Sequence, residues 1–177
     1  MDTKALSKLS YGMYIIGSKK GDKLNGQTAN TVFQITSEPP TIAVSINRNN
    51  LSHSYIDESK VFTASMLCDA TPLPFIGRFG FRSGKDTNKL EGVNYKIGKT
   101  GAPIILDNAL AYIEARVIKQ LDVGTHTIFV GEVVDAELIS EDMTCMTYDY
   151  YKQIKRGTTP KAAPTYIAPE KQEAKPA

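Results

Sequence analysis

Four short segments of the chain concentrate side chains able to bond a flat ligand that carries an anion. In "NGQTANTVFQIT", residues 25–36, small and polar residues stand at the mouth of a strand-like run, where larger apolar groups would stabilise more. The amides of Gln27 and Asn30 and the hydroxyl of Thr28 can bond the polar edge of a heteroaromatic ring, and Ala29 lets the ring plane approach. A β-bulge rich in turn formers is the plainer account of the same residues. The second segment, "SINRNNLSH" over 45–53, ends a strand and opens a short helix, with Ser45, Asn47, Arg48 and the hydroxyl of Ser52 as donors. Free N–H groups and the helix dipole favour a phosphate there, although Asn50 or Ser52 can equally serve as a helix cap. In the third, "FRSGKDTNK" over 81–89, Arg82, Ser83 and Lys85 offer charge-assisted donors to the same anion, or form an ordinary solvated loop. The fourth, "THTIFVGE" over 125–132, puts the titratable ring of His126 at the start of a strand, where a neutral imidazole can also serve backbone partners alone.

Other chemistries lack their residues. Only His53 and His126 are present and neither lies near a GxSxG elbow, so a nucleophile triad has no support. Cys68 and Cys145 are far apart, with no CxxC, which points to neither a zinc site nor a disulfide framework and leaves both as expected buried thiols. Residues 77–84, "GRFGFRSG", contain glycines but no strand–turn–helix context, so a nucleotide would have to bind on a different kind of surface. The 21 basic and 19 acidic residues leave a net charge of +2, too even a balance for nucleic acid or an anionic membrane to be the main partner. No apolar run reaches the roughly 20 residues that span a bilayer and no signal-peptide core opens the chain, so a cytoplasmic protein is expected.

The elements that must position these segments are mainly strands. Tyr11 to Gly17 and Val32 to Thr36 read as a hairpin with turn residues at 22–26, and "TIAVSI" from Thr41 follows the Pro39-Pro40 break as a third strand. Leu51, Tyr55 and Ile56 have helical spacing, so Leu51 to Ser59 reads as one short helix, and the strand Val61 to Leu67 comes next. Pro72 to Phe81 reads as a further helical turn, and residues 83–99 as a long excursion of the functional kind. "ALAYIEARVIKQL" can be an amphipathic helix, but its alternation and the β-branched run after it favour two long neighbouring strands joined near 122–124. Six or seven strands in one chain of 177 residues are most simply closed into an antiparallel barrel, which removes the sheet edges. Residues 1–157 form the expected domain, and 158–177, rich in Pro, Ala and Lys, an extended tail with its last ten residues disordered.

The order and content of these motifs resemble a known family. "NGQTANTVFQITSEPPTIAVSINRNNLSHSYIDESKVFTASML", "KTGAPIILDNALAYIEARV" and "HTIFVGEVVDAEL" are similar to the flavin reductase-like domain, the FMN-binding split barrel, over about Leu6 to Ile139. Thr28-Ala29-Asn30, the Pro-Pro before Thr41, Gly101-Ala102-Pro103 and His126 to Val133 carry the likeness most specifically. "YDYYKQIKRGTTPKAAPTY" resembles the end of that domain in flavoredoxins and high-molecular-weight rubredoxins, where in the latter an iron-binding rubredoxin module follows.

The resemblance implies a mainly β fold, an antiparallel split β-barrel with a few short helices, and a homodimer that binds FMN non-covalently near the subunit interface. Gln27, Thr28, Ala29 and Asn30 would face the isoalloxazine, and Ser45, Ile46 and Asn47 would line the ribityl chain and phosphate. Ser52, His53, Ser83 and Lys85 would hold or flank the phosphate. His126 matches a family histidine near flavin and nicotinamide and would be the catalytic residue, with Thr125 where relatives commonly carry Asp. Three functions follow from it: an NAD(P)H-dependent FMN oxidoreductase feeding a partner such as rubredoxin, a flavin reductase supplying free reduced FMN to a monooxygenase, or a flavoredoxin-like electron carrier without NAD(P)H activity. On fold analogy alone, a barrel that binds haem or a deazaflavin stays open beside them.

Overall fold

The computed structural model describes residues 2–167. After a 3-10 helix, Thr3–Lys8, the chain runs through β1 (Tyr14–Lys20), β2 (Lys23–Ala29), β3 (Val32–Ser37), β4 (Pro40–Asn47), α1 (Leu51–Ser59), β5 (Val61–Leu67) and α2 (Leu73–Gly80). Short strands β6 (Tyr95–Ile97) and β7 (Pro103–Ile105) lead to the long pair β8 (Ala109–Asp122) and β9 (His126–Leu138), and α3 (Tyr148–Gln153) follows. Seven strands make one antiparallel sheet in the order β2-β1-β5-β8-β9-β4-β3. This is the expected mainly β, split-barrel architecture.

The split has a covalent cause. β2 and β3 are the two edges of the sheet, yet only Asn30 and Thr31 separate them in the chain. The edges are therefore held close at that point, where Ser45 N–H donates to the Thr31 carbonyl (3.1 Å), and they pair with each other nowhere. The barrel interior is filled by Ile16, Ile42, Val44, Ile46, Phe62, Ala64 and Phe129, with Ile56 of α1 among them. Ile15, one residue from Ile16, faces the other way into a second cluster with Ile76 and Phe79 of α2. The first half of β1 is thus buried on both faces, which explains the consecutive apolar residues Ile15 and Ile16.

Several expectations are corrected here. Residues 22–26 are not a hairpin turn, because Gly21 at φ +54° and Asp22 complete the turn and β2 begins at Lys23. Four strands, not three, precede α1. Pro72 to Phe81 forms two turns of helix rather than one, since Pro74 falls in the first turn, where its missing N–H costs nothing. The Cys68 thiol is buried but Cys145 is exposed.

The Gly101-Ala102-Pro103 motif proves to be structural. The Pro103 carbonyl accepts from Thr63 Oγ1 (2.6 Å), and a methyl on Gly17 would collide with both atoms. Glu114, fully buried in β8, accepts from the backbone N–H of Lys99 (2.9 Å) and Thr100 (2.6 Å), fixing the loop ahead of the motif. Overpacking at such a backbone contact costs about 1–3 kcal/mol or more, so Gly17→Ala is expected to lower the urea unfolding midpoint by that equivalent with the m-value unchanged.

Candidate functional site

The split opens into a cleft of about 280 Å³. Its floor is the polar end of β2, Gln27 to Ala29, and the adjoining Asn30, with Ser45 and Asn47 of β4. The N-terminus of α1 (Asn50, Leu51, Ser52) and α2 with the loop after it (Ile76, Phe79, Arg82, Ser83) form its walls, and Gly84 of that loop lies close to Leu51. Small residues at the mouth of β2 now have a mechanical reason. A Cβ on Gly26 would sit 2.9 Å from the Phe79 ring, so only glycine lets α2 come down against the strand.

Much of the polar lining is already committed within the protein. Thr28 Oγ1 donates to the Ile76 carbonyl of α2 (2.9 Å), and Asn25 Nδ2 donates to Ser52 Oγ (2.8 Å), tying β2 to both helices. Asn47 Oδ1 accepts from Asn49 N–H (3.0 Å) and Ser83 Oγ from Lys85 N–H (3.1 Å). Among the described residues, Gln27, Ser45 and Arg82 make no side-chain hydrogen bond. Asn50 occupies the N-cap position of α1 without a side-chain capping bond, and it lines the cleft together with Leu51 and Ser52 of the helix's first turn, where backbone N–H groups have no partner within the helix.

Of the twelve residues singled out from sequence, Gln27, Thr28, Ala29, Asn30, Ser45, Asn47, Ser52 and Ser83 line the cleft. Ile46 does not: the alternation of β4 turns its side chain into the barrel core. Lys85 lies beyond the rim, beside Lys20 and Lys23 in a neighbouring open groove. The His53 ring points toward β9, with Nε2 2.8 Å from Thr127 Oγ1 and its plane tilted against Phe129, and burial pushes its pKa down. His126 is not among the lining residues. Its Nδ1 is 2.9 Å from Thr125 Oγ1 and its Nε2 3.2 Å from the Ala162 carbonyl, which can only accept, so the neutral ring carries its proton on Nε2.

Two features escaped the sequence reading. The first is residues 158–166, expected as an extended tail. Thr158, Pro160, Ala162, Ala163 and Pro164 form the outer wall of the cleft, with turns near 161 and 164. Tyr151 Oη donates to the Thr158 carbonyl (2.7 Å), Tyr148 Oη pairs with Thr159 Oγ1, and Asn30 Nδ2 reaches across to Thr165 Oγ1 (2.8 Å). The disorder expected for the last ten residues falls outside the described residues.

The second is Lys89, which the sequence places in a loop of ordinary polar composition. It is 5 % exposed and lines the cleft, and its Nζ has one long contact, to the Phe79 carbonyl at 3.5 Å. Burial lowers its pKa to about 8. A buried ammonium without a counter-ion among the described residues is the electrostatic complement of a bound anion.

The sign of its effect on stability follows from linkage. The unfolded chain holds the Lys89 proton more tightly, so stability rises with pH between about 8 and the ordinary value of 10.5, by roughly 3 kcal/mol in total. Lys89→Met is expected to stabilise the ligand-free protein at pH 7 and to remove that rise, as read by denaturant titrations at pH 7 and 10.

Comparison with known proteins agrees with this geometry. A family model described as the flavin reductase like domain matches residues 6–156. The chain is 55% identical to a high molecular weight rubredoxin of Moorella thermoacetica, over 94% of this chain and 72% of that one. It is 50% identical to a ferric-chelate reductase (NAD(P)H) of Archaeoglobus fulgidus, over 94% of this chain and 98% of the relative. Among solved structures, the flavin reductase HpaC complexed with NADP+ superposes at a TM-score of 0.71 with 28% identity, covering 84% of this chain and 93% of that one. Barrel, split and sequence together make this chain a member of the flavin reductase-like domain family.

Proposed function

We propose that the protein is an FMN-binding oxidoreductase that takes reducing equivalents from NAD(P)H and passes them to a redox partner such as rubredoxin. The observation that carries this reading is the buried Lys89, without a counter-ion among the described residues, in a cleft where the side chains of Gln27, Ser45, Arg82 and Asn50 make no hydrogen bond to any described residue. A flavin phosphate fits that donor set: the N-terminus of α1, Ser83 and Arg82 supply N–H and guanidinium donors at one end. Gln27, Ala29 and Asn30 then meet the ring at the other. When bound, the flavin supplies the hydride and electron chemistry, and the protein supplies binding, orientation and electrostatics.

The chain's own residues act on that chemistry in three ways. Lys89 stabilises negative charge in a water-poor cleft, where a fixed cation counts for more than in solvent. Ala29 and Gly80 keep the floor and wall low enough for a planar ring. Residues 158–166 cover the outer side, so that Asn30, bonded to Thr165, and His126, bonded to Ala162, are oriented by them. The names of the two relatives, one a rubredoxin and one a ferric-chelate reductase (NAD(P)H), support an iron-containing electron acceptor and a nicotinamide donor.

The covering segment favours a retained cofactor over the second reading, a reductase that releases reduced FMN to a monooxygenase. Exposed apolar side chains at Phe33, Ile35, Ile118 and Leu121 support a homodimer. No helix among the described residues is long and apolar enough to cross a membrane, and a cytoplasmic location fits the free thiols.

The first test is an anaerobic visible spectrum before and after NADH or NADPH. Bleaching of a flavin band that survives desalting is the expected result. A band bleached only by dithionite would support a protein-fed carrier, and flavin lost on desalting would support the diffusible-substrate reading. By equilibrium dialysis, Lys89→Met is expected to weaken FMN binding at least tenfold, equivalent to about 1.4 kcal/mol or more. Ending the chain after Gly157 is expected to leave the barrel folded and to speed FMN release several-fold in stopped-flow displacement by excess riboflavin.

A further inference from the structure

The chain's two cysteines are both free thiols, remote in sequence, and neither lines the cleft. Cys68 directly follows β5, and Cys145 lies in the segment that leads into α3. The fold sets them face to face as an isolated antiparallel bridge. Asp69 N–H donates to the Thr144 carbonyl (2.9 Å) and Met146 N–H to the Leu67 carbonyl (2.8 Å), whereas Cys68 N–H bonds elsewhere, to Asn108. That pattern defines a non-hydrogen-bonded pair, in which the Cα atoms approach to about 4.5 Å and both side chains stand on one face. Disulfides form across Cα separations of about 4.4–6.8 Å.

Both thiols are loosely held. Cys68 Sγ lies 3.7 Å from Thr71 Oγ1, and Cys145 Sγ lies 4.0 Å from the Met146 carbonyl. Cys145 is open to solvent while Cys68 is buried, so one thiol is accessible and its neighbour is sheltered. Partial burial raises the pKa of the Cys145 thiol, and Cys68 raises it further, which is consistent with the closeness of the pair in the bridge. Among the described residues no cluster of three metal-ligating groups exists, so the pair is not part of such a site.

We propose that Cys68 and Cys145 form a reversible dithiol–disulfide site, oxidised by peroxide or by a low-molecular-weight disulfide. With peroxide, the Cys145 thiolate attacks one oxygen, the O–O bond breaks, and a sulfenic acid and one water result. The Cys68 thiolate then attacks that sulfur and displaces a second water. Two thiols and one hydrogen peroxide thus give one disulfide and two waters, the sulfurs losing the two electrons that peroxide gains.

The cross-link would anchor the root of the segment over the cleft. Thr147, two residues beyond Cys145, caps α3 by accepting from Tyr150 N–H, and Tyr148 and Tyr151 of α3 hold Thr159 and Thr158. An effect on flavin retention rests on the function proposed above, whereas formation of the disulfide does not.

The test is to expose the reduced full chain to hydrogen peroxide and, separately, to oxidised glutathione. Expected are an intact mass lower by two hydrogens, a peptide pair joining Cys68 to Cys145, loss of both titratable thiols, and reversal by dithiothreitol. The oxidised protein is expected to melt at a higher temperature than the reduced one, and Cys68→Ser and Cys145→Ser are each expected to abolish both changes. A lasting glutathione adduct or sulfinic acid on Cys145 with the Cys68 thiol intact would overturn the proposal, as would a disulfide between two copies. Slower FMN release from the cross-linked form is the expected consequence. Unchanged release from a form shown by mass to be cross-linked would overturn the link to the cleft.

Discussion

Everything in this structure depends on the two-residue connection between the edges of its sheet. Asn30 and Thr31 are too short a link to let β2 and β3 separate, yet the strands they join diverge rather than pair. An antiparallel sheet that curls this far normally removes its edges by closing. Here closure stops at one point, and the backbone on either side is left to face a cleft. The floor of that cleft is necessarily polar and small, because it is made of edge-strand residues over which two helices must pass closely.

That constraint distributes the polar groups. Thr28, Asn25 and Ser52 spend their hydrogen bonds on fastening β2 to α1 and α2, so that the walls stand in fixed positions relative to the floor. The groups left over, at Gln27, Ser45, Asn50, Arg82 and Lys89, are those that a ligand can satisfy. Preorganisation of this kind means that the ordering of the side chains is met during folding rather than at binding. The segment 158–166 completes the enclosure, and the residues it contributes to the lining, Thr158, Pro160, Ala162, Ala163 and Pro164, are all uncharged.

The legibility of these features in the sequence varied with their range. β5 and α1 were readable to the residue, because apolar spacing and flanking polar residues report local conformation directly. The long pair β8 and β9 was readable once alternation was weighed against helical spacing. β2 was missed as a strand because Asn25, Gly26 and Gln27 have poor strand propensity, and it forms through pairing with β1 alone. Eight of the twelve candidate site residues lie together in the cleft, whereas Ile46, His53, Lys85 and His126 point elsewhere. Nothing in the local sequence separates the two groups, since one residue of register or one turn of helix decides which way a side chain faces.

The sequence by itself determined the strand-rich class, the family likeness, and the absence of residues for triad or zinc chemistry. These rest on residue type and short-range periodicity. Only the tertiary structure decided that Lys89 is buried against the cleft, that Cys68 meets Cys145, and that the C-terminal segment is a wall. The hydrogen bond from Asn30 to Thr165 joins residues 135 positions apart. No local pattern encodes such a contact, because it exists only after the barrel has brought both ends of the chain to the same split.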